Sequence, residues 1–259
     1  MSLKLKVDLH IHTAEDVAEI VGGRTDLLPA RRFIDLAVKM GYDAISFTHH
    51  GVLYNDPRVF KYAADRGLIL IPGVETFINR KHVLLLNCTA RKHILTYHDL
   101  RRYKDENVLV IAPHPYYLVG MCLGRDLKKN IDMYDAIEYC HYYYKLFNPN
   151  RKALRVARKH KKPVVGNSDA HYRDQFGTTY SYVYAEEKSI PAIIRAIKAG
   201  KVEYVSHPRT FQQFVDETRW ILEKLPYEIQ MKMRSQLKRS SSKFFKKVRH
   251  LLAQNGLKK

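Results

Sequence analysis

Short apolar runs of strand length recur along the chain, and stretches with helical spacing separate them. Leu5–Ile11 is the first run. Asp43–Phe47 is the second, reached after a helix-like segment, Pro29–Lys39, that opens with a proline as helices often do. Leu68–Val74, His82–Leu86, Val108–Ala112, Ala136–Tyr139 and Pro163–Gly166 follow, and Tyr180–Tyr184 and Val202–Val205 add a late strand each. Helices are expected near Asp56–Arg66, Thr96–Glu106, Pro149–His160 and Ile190–Gly200. Such alternation predicts a mostly parallel sheet buried on both faces. About seven βα units favour closure into a barrel over an open sheet, with chemistry placed where strands end and loops begin.

After Ser206 the pattern changes. Thr210–Leu225 carries Phe211, Phe214, Val215, Ile221, Leu222 and Leu225, which fits a helix with one apolar face, and Pro226 breaks it. Beyond it, Ile229, Met233, Leu237, Phe244, Val248 and Leu251 recur at spacings of three to four residues or their multiples. This predicts a basic amphipathic helix. The expected organisation is therefore a barrel over residues 1–207 and a basic helical extension over 208–259.

Charge sharpens that division. The 259 residues hold 45 Lys and Arg against 26 Asp and Glu, a net +19. The segment Pro226–Lys259 alone holds ten Lys or Arg and one Glu, so +9 of the excess belongs to the tail. A field of this sign attracts phosphates, nucleic acid or acidic lipid surfaces. The tail suits three partners: the barrel or a second subunit through its apolar face, an anionic surface, or nucleic acid. Hydrophobic residues at 46% and charged residues at 27% are an ordinary globular balance, which excludes a disordered or fibrous chain. Cys88, Cys122 and Cys140 form no CxxC pair, which argues against a disulfide framework or a thiolate zinc site. With no apolar leader and no run long enough to span a bilayer, the expectation is a cytoplasmic protein.

The strongest chemical signal lies in the first strand, Asp8-Leu9-His10-Ile11-His12-Thr13. Side chains two apart in a strand point the same way, so alternation places Asp8, His10 and His12 on one face and Leu9 and Ile11 on the other. Two imidazoles so placed can chelate one divalent ion. Alone the pair would be weak. It is joined by Thr48-His49-His50-Gly51, Gly73-Val74-Glu75, His82, Pro113-His114-Pro115 and Asn167-Ser168-Asp169-Ala170-His171, each at a strand terminus. Capping polar residues do not explain that whole series, whereas a metal centre does.

The ordered set DLHIHT, FTHHG, PGVE, HVLLL, APHP and NSDAH resembles the PHP (polymerase and histidinol phosphatase) domain, from about Lys4 to Ser206. The resemblance implies a distorted (β/α)7 TIM-like barrel that holds two or three divalent ions (zinc, manganese or iron) and hydrolyses phosphate esters. It implies His10, His12, Glu75 and Asp169 as ligands of one ion. Glu75 would bridge to a second ion held with His82 and His114. His50 and His171 would hold a third with an acid of the first loop, Asp16 fitting best and Glu15 being its rival. The family usually has an acid where His49 stands, which leaves open whether His49 or His50 is the ligand. It often has an asparagine where His141 stands.

The implied reaction is attack by a hydroxide bridging two ions, on a phosphomonoester, a nucleotide or a short oligonucleotide. Asp169 is the expected proton acceptor, with His171 or His141 as general acid. Arg173, His141 and Tyr116 are candidate substrate contacts, Arg173 for phosphate. Two alternatives remain at this point: a small-molecule phosphatase of the histidinol phosphatase kind, and a metal-binding module in nucleic-acid metabolism without turnover.

Overall fold

The computed structural model describes residues 2–22, 27–88, 94–117, 121–145, 147–210, 212, 213 and 215. In chain order the elements are β1 (Leu3–Ile11), α1 (Val17–Val21), α2 (Ala30–Lys39), β2 (Ala44–Phe47), α3 (Pro57–Ala64), β3 (Ile69–Ile78), β4 (Lys81–Leu86), α4 (Tyr97–Tyr103), β5 (Leu109–Ala112), α5 (Asp126–Lys129), a 3-10 turn at Ile131–Met133, β6 (Ala136–Cys140), α6 (Asn150–Lys159), β7 (Val164–Asn167), β8 (Thr179–Ala185), α7 (Ile190–Lys198) and β9 (Val202–Ser206). Local chemistry sets the helix starts. Asp56 caps α3 ahead of Pro57, Thr96 and Asp99 form a reciprocal capping box on α4, and Ser189 caps α7.

The strands form one nine-stranded sheet in the order β7-β6-β5-β4-β3-β2-β1-β8-β9. It curls until β1 meets the end of β7, giving a nearly closed, barrel-like sheet. The seam carries few ladder bonds. Leu9 N–H donates to Asn167 Oδ1 (3.0 Å), Ser168 N–H to Asp8 Oδ1 (3.1 Å), and His12 N–H to the Ala170 carbonyl (2.9 Å). β8 pairs antiparallel with the first half of β1, and β9 pairs antiparallel with β8.

Two expectations from strand patterning need correction. The sheet is less parallel than the alternation suggests, because β4 runs antiparallel to both β3 and β5. β3 continues past Glu75 to Ile78 and leaves only Asn79 and Arg80 before β4, with φ of 49° and 64°. A two-residue turn of that kind joins antiparallel strands and cannot make a parallel crossover. The reversal is what brings His82, at the start of β4, to the rim where the parallel strands end.

The second correction concerns β1. Its register against β2 shifts between Asp8 and Ile11, an irregularity that breaks simple alternation. Val7 and Leu9 pack in the interior cluster with Ile71, Leu84, Ile111 and Val165, whereas Ile11 joins the cluster beneath α2 and α3. Leu9 and Ile11 therefore do not share a face. Asp8 is held at the seam and stays apart from the groups that His10 and His12 join.

The interior cluster fills the barrel below the site. Ala192, Ile193, Ala196 and Ile197 of α7 pack there with residues at strand starts such as Leu5, Ala44 and Leu109. The polar end of the barrel is left as the mouth. No helix among the described residues is long and apolar enough to cross a membrane. Met1–Arg209 and Thr210–Lys259 divide as separate units. Of the helix expected over Thr210–Leu225, Gln212, Gln213 and Val215 are helical. The basic segment Pro226–Lys259 lies outside the described residues.

Candidate metal centre

The mouth gathers imidazoles and carboxylates that are almost fully buried. His10 Nε2 and His12 Nε2 stand 3.1 Å apart. Asp169 Oδ1 lies 3.1 Å from the first and 3.4 Å from the second, and Glu75 Oε2 lies 3.6 and 3.4 Å from them. Ligand atoms at about 2.0–2.2 Å from one ion are separated by about 2.8–3.1 Å between octahedral neighbours and about 3.3–3.6 Å in a tetrahedron. The four donors therefore have the spacing of a coordination shell. Two imidazole nitrogens facing each other also need a shared proton or a cation to be stable.

Glu75 reaches in two directions. While Oε2 faces His10, His12 and His50 Nε2 (3.1 Å), Oε1 lies 3.1 Å from His114 Nε2 and 2.6 Å from His82 Nδ1. The His82 approach lacks the alignment of a hydrogen bond, and neither ring nitrogen of His82 has a hydrogen-bond partner. Buried, unpartnered donors converging on a carboxylate are the arrangement a bound cation resolves. Overlapping triads, His10–Glu75–His114, His10–His12–Asp169, His12–Asp16–His50 and His50–Glu75–His82, each offer ligand atoms within 4.8 Å of one another. Imidazole and carboxylate donors in this mixture suit divalent metal ions.

Electrostatics follow from the crowding. Burial alone would lower His10, but Asp169, Glu138 and Glu75 outweigh it and lift the ring to about 10. His12 and His114 are likewise raised against the effect of burial, His12 by Asp16 and Asp169, and His114 by Cys122 and Glu75. Glu75 and Asp169 are held well below the usual carboxylate range despite burial, by His82 and His10 for the first and His10 and His12 for the second. His114 and Asp169 adopt φ of 25° and 48°, backbone strain of a kind that collects at functional sites.

Around these donors stands a layer that sequence patterning did not identify. Glu138 Oε1 accepts from His10 Nδ1 (3.0 Å) and Asn167 Nδ2 (2.8 Å), and Oε2 accepts from His114 N–H (2.7 Å). The available signal was a lone acid within the apolar strand AIEYC, since a buried charge requires partners. Cys122 Sγ lies 3.3 Å from His114 Nδ1. His171 Nδ1 donates to the Asp169 carbonyl (3.0 Å), which turns Nε2 outward.

The first loop brings two acids to the cluster. Asp16 Oδ2 accepts from His12 Nδ1 (2.8 Å), His50 Nδ1 (3.0 Å) and His50 N–H (3.1 Å), and Oδ1 caps α1 through Ala18 N–H. These bonds hold Asp16 far below the ordinary carboxylate range against the effect of burial. Beside His171 stands Glu19 of α1, its Oε1 3.3 Å from His171 Nε2 and 3.6 Å from His50 Nδ1. Asp16-x-x-Glu19 has the spacing of a helix cap, which would have flagged it. Glu15 instead accepts from Ala30 N–H at the start of α2 (3.1 and 3.2 Å).

Of the two neighbouring histidines, His50 faces the centre. His49 Nε2 pairs with Thr13 Oγ1 (2.8 Å), and burial pushes its ring down to about 4. His141 is buried with both ring nitrogens unpartnered, its ring 4.0 Å from that of Tyr142, and burial pushes it down to about 3. Tyr116 is half-buried against the core beside β5, with Lys152 Nζ 4.3 Å above its ring. Arg173 is exposed. A cation that patterning missed, Arg209, acts electrostatically on His141 and lies 5.4 Å from the Tyr142 ring.

Comparison with known proteins fits this geometry. A family model described as PHP-associated matches residues 147–202. An uncharacterized protein of Methanocaldococcus jannaschii is 25% identical over 160 residues, covering 60% of this chain and 92% of its own. Among solved structures, a two-domain Bacteroides vulgatus protein containing a predicted PHP-like metal-dependent phosphoesterase is similar at a TM-score of 0.59, with 21% identity over 80% of this chain. The lesion-specific endonuclease PfuEndoQ of Pyrococcus furiosus is similar at 0.54, with 16% identity over 83%. The chain spans 66% of the length of each of these two structures. At such identities the likeness is one of fold. By that fold and by the matched segment, the chain is similar to PHP-domain proteins.

Proposed function

We propose that the chain is a metal-dependent phosphoesterase, working with two or three divalent ions (zinc, manganese or iron). The observation that carries this reading is the Glu75 carboxylate, whose two oxygens serve two separate sets of imidazoles. His10, His12, Glu75 and Asp169 would hold one ion, and Glu75, His82 and His114 a second. His50 and His171 would hold a third, with Glu19 beside them. Bound ions would bring the pKa of water from 15.7 toward about 7 and take up charge on the phosphoryl oxygens.

The protein side chains then orient and exchange protons. Asp169 faces the same space as His10 and His12 and accepts the proton of the attacking water. His171, with Nδ1 committed to the Asp169 carbonyl, has only Nε2 left to hold the third ion, and as a ligand there it carries no proton for the leaving oxygen. His141 stays neutral at pH 7, so it offers one N–H and one acceptor to substrate and is a poor proton donor. Arg209 beside it supplies positive charge for a phosphate. The substrate class is a phosphomonoester, nucleotide or short oligonucleotide, in keeping with the names of the similar structures.

The test is metal content of the purified chain together with turnover on phosphomonoesters, cyclic nucleotides and oligonucleotides. The expected result is bound metal and hydrolysis of at least one class, abolished in His12→Ala and Asp169→Ala while both variants still fold. Bound metal with no turnover on any substrate would favour a binding module. Full activity in either variant would remove the proposed roles.

A further inference from the structure

The charge excess is concentrated on one helix of the barrel unit. Residues 150–162 hold seven Lys or Arg and no acid. Ala153, Val156 and Ala157 of α6 face the core, while Arg151, Lys152, Arg155, Arg158 and Lys159 are exposed. Some cations elsewhere on the surface pair with carboxylates, as in Lys61–Asp65, Lys104–Asp135 and Lys188–Asp43. Among the described residues none of the five on α6 has an ion pair. An ordinary solvated helix face mixes both signs, and this one does not.

Its position matters as much as its sign. The Asn150 side chain bonds both the N–H and the carbonyl of Cys140, which ties the start of α6 to the end of β6 at the mouth. Lys152 lies over Tyr116, two residues beyond His114. From there the ten-residue helix runs about 15 Å down the outside of the barrel, with Arg151, Arg155 and Arg158 about one turn apart. Aromatic rings gather at the mouth end. Tyr117 and Tyr142 stack at 4.8 Å, and Phe147, three residues before the helix, is 51% exposed.

We propose that the exposed face of α6 is a track for single-stranded nucleic acid, leading to the metal centre. Phosphates lie along the arginines, and unpaired bases meet the rings at the mouth. A cationic path with stacking aromatics at one end is the combination that binds single strands with little sequence preference. A small phosphate ester would need nothing 15 Å from the mouth. A lipid surface fits less well, because the exposed face of α6 carries no apolar residue to enter a bilayer. Delivery to the centre rests on the phosphoesterase reading, whereas binding along α6 does not.

The test compares the full chain with its Arg151→Gln/Arg155→Gln/Arg158→Gln variant, both retaining the basic C-terminal segment. Fluorescence anisotropy with labelled 12-nucleotide RNA and DNA is read over a range of salt. The expected result is weaker binding and a salt slope smaller by about 2, from about 0.7 per single-strand phosphate contact. For an oligonucleotide substrate KM rises with kcat unchanged, while turnover of p-nitrophenyl phosphate is unaffected. An unchanged slope would assign binding to charges elsewhere and overturn the track. So would loss of binding to phosphatidylserine vesicles with nucleic-acid binding intact. If neither protein hydrolyses any ester, the phosphoesterase reading fails while the anisotropy still decides the track.

Discussion

Glu138 Oε1 accepts from His10 Nδ1 at 3.0 Å, and this bond decides which nitrogen of His10 faces the centre. With Oε1 as the acceptor, Nδ1 carries the proton and Nε2 presents its lone pair to an ion. The same carboxylate also receives Asn167 Nδ2 and His114 N–H. In Glu138→Gln at least one of these three donors meets an NH2 group. We expect the fold to persist and metal affinity to fall about 10–100-fold, the usual effect of losing such an orienting partner. Competition against a chelator of known affinity measures it. Unchanged affinity would mean that the bond does not orient His10.

Metal binding should release protons at neutral pH. In the metal-free protein His10 is raised to about 10, so at pH 7.5 both its nitrogens are protonated. An incoming ion must displace the proton on Nε2. Apparent affinity therefore rises as pH rises toward about 10 and falls on acidification. Calorimetric titration in buffers of different ionisation enthalpy should give at least one proton released per chain on filling the centre at pH 7.5. A count of zero would show that His10 is already neutral.

The strand series and the residues at its rim were legible in the sequence because burial on both faces leaves short apolar runs, and because ligands interrupt those runs at one end. His10, His12, His50, Glu75, His82, His114 and Asp169 all come together as the motif order implies. Alternation alone failed at β1, where the irregularity between Asp8 and Ile11 changes which residues face inward. It also failed at the β3–β4 turn, because strand length and not composition decided between a crossover and a hairpin. Glu138 and Glu19 were harder to see for different reasons. The first is a single acid in an apolar strand, and the second depends on a five-residue helix too short to show periodicity.

Gly73 shows how packing supports the site. It precedes Glu75 by two residues in the Pro-Gly-Val-Glu sequence of β3. A Cβ there would lie 2.2 Å from Ser46 Oγ, 2.8 Å from Thr48 Cγ2 and 2.9 Å from Leu86 Cδ2. Ser46 cannot turn away freely, since its hydroxyl donates to the Ile71 carbonyl. Gly73→Ala should therefore cost about 1–3 kcal/mol of stability through overpacking. Displacement of β3 should also lower metal occupancy through Glu75. Denaturant unfolding and metal analysis of the variant check both, and wild-type stability would show that the strand has room to adjust.

Asp16 and Glu19 can be separated by substitution. Asp16 binds Nδ1 of both His12 and His50, so it orients two imidazoles whose Nε2 atoms face Glu75 Oε2. Glu19 Oε1 instead faces His171 Nε2, 3.3 Å away at the edge of the cluster. Glu19→Gln should remove one ion per chain and leave the His10, His12, Glu75 and Asp169 shell filled. Asp16→Asn keeps the cap on α1 through its amide oxygen but withdraws the anionic acceptor from both histidines. It should weaken binding at the inner positions as well. Metal equivalents retained after dialysis, measured by mass spectrometry, distinguish the two. Retention of every equivalent in Glu19→Gln would exclude it as a ligand, and loss of only one ion in Asp16→Asn would return the ligand role to Asp16.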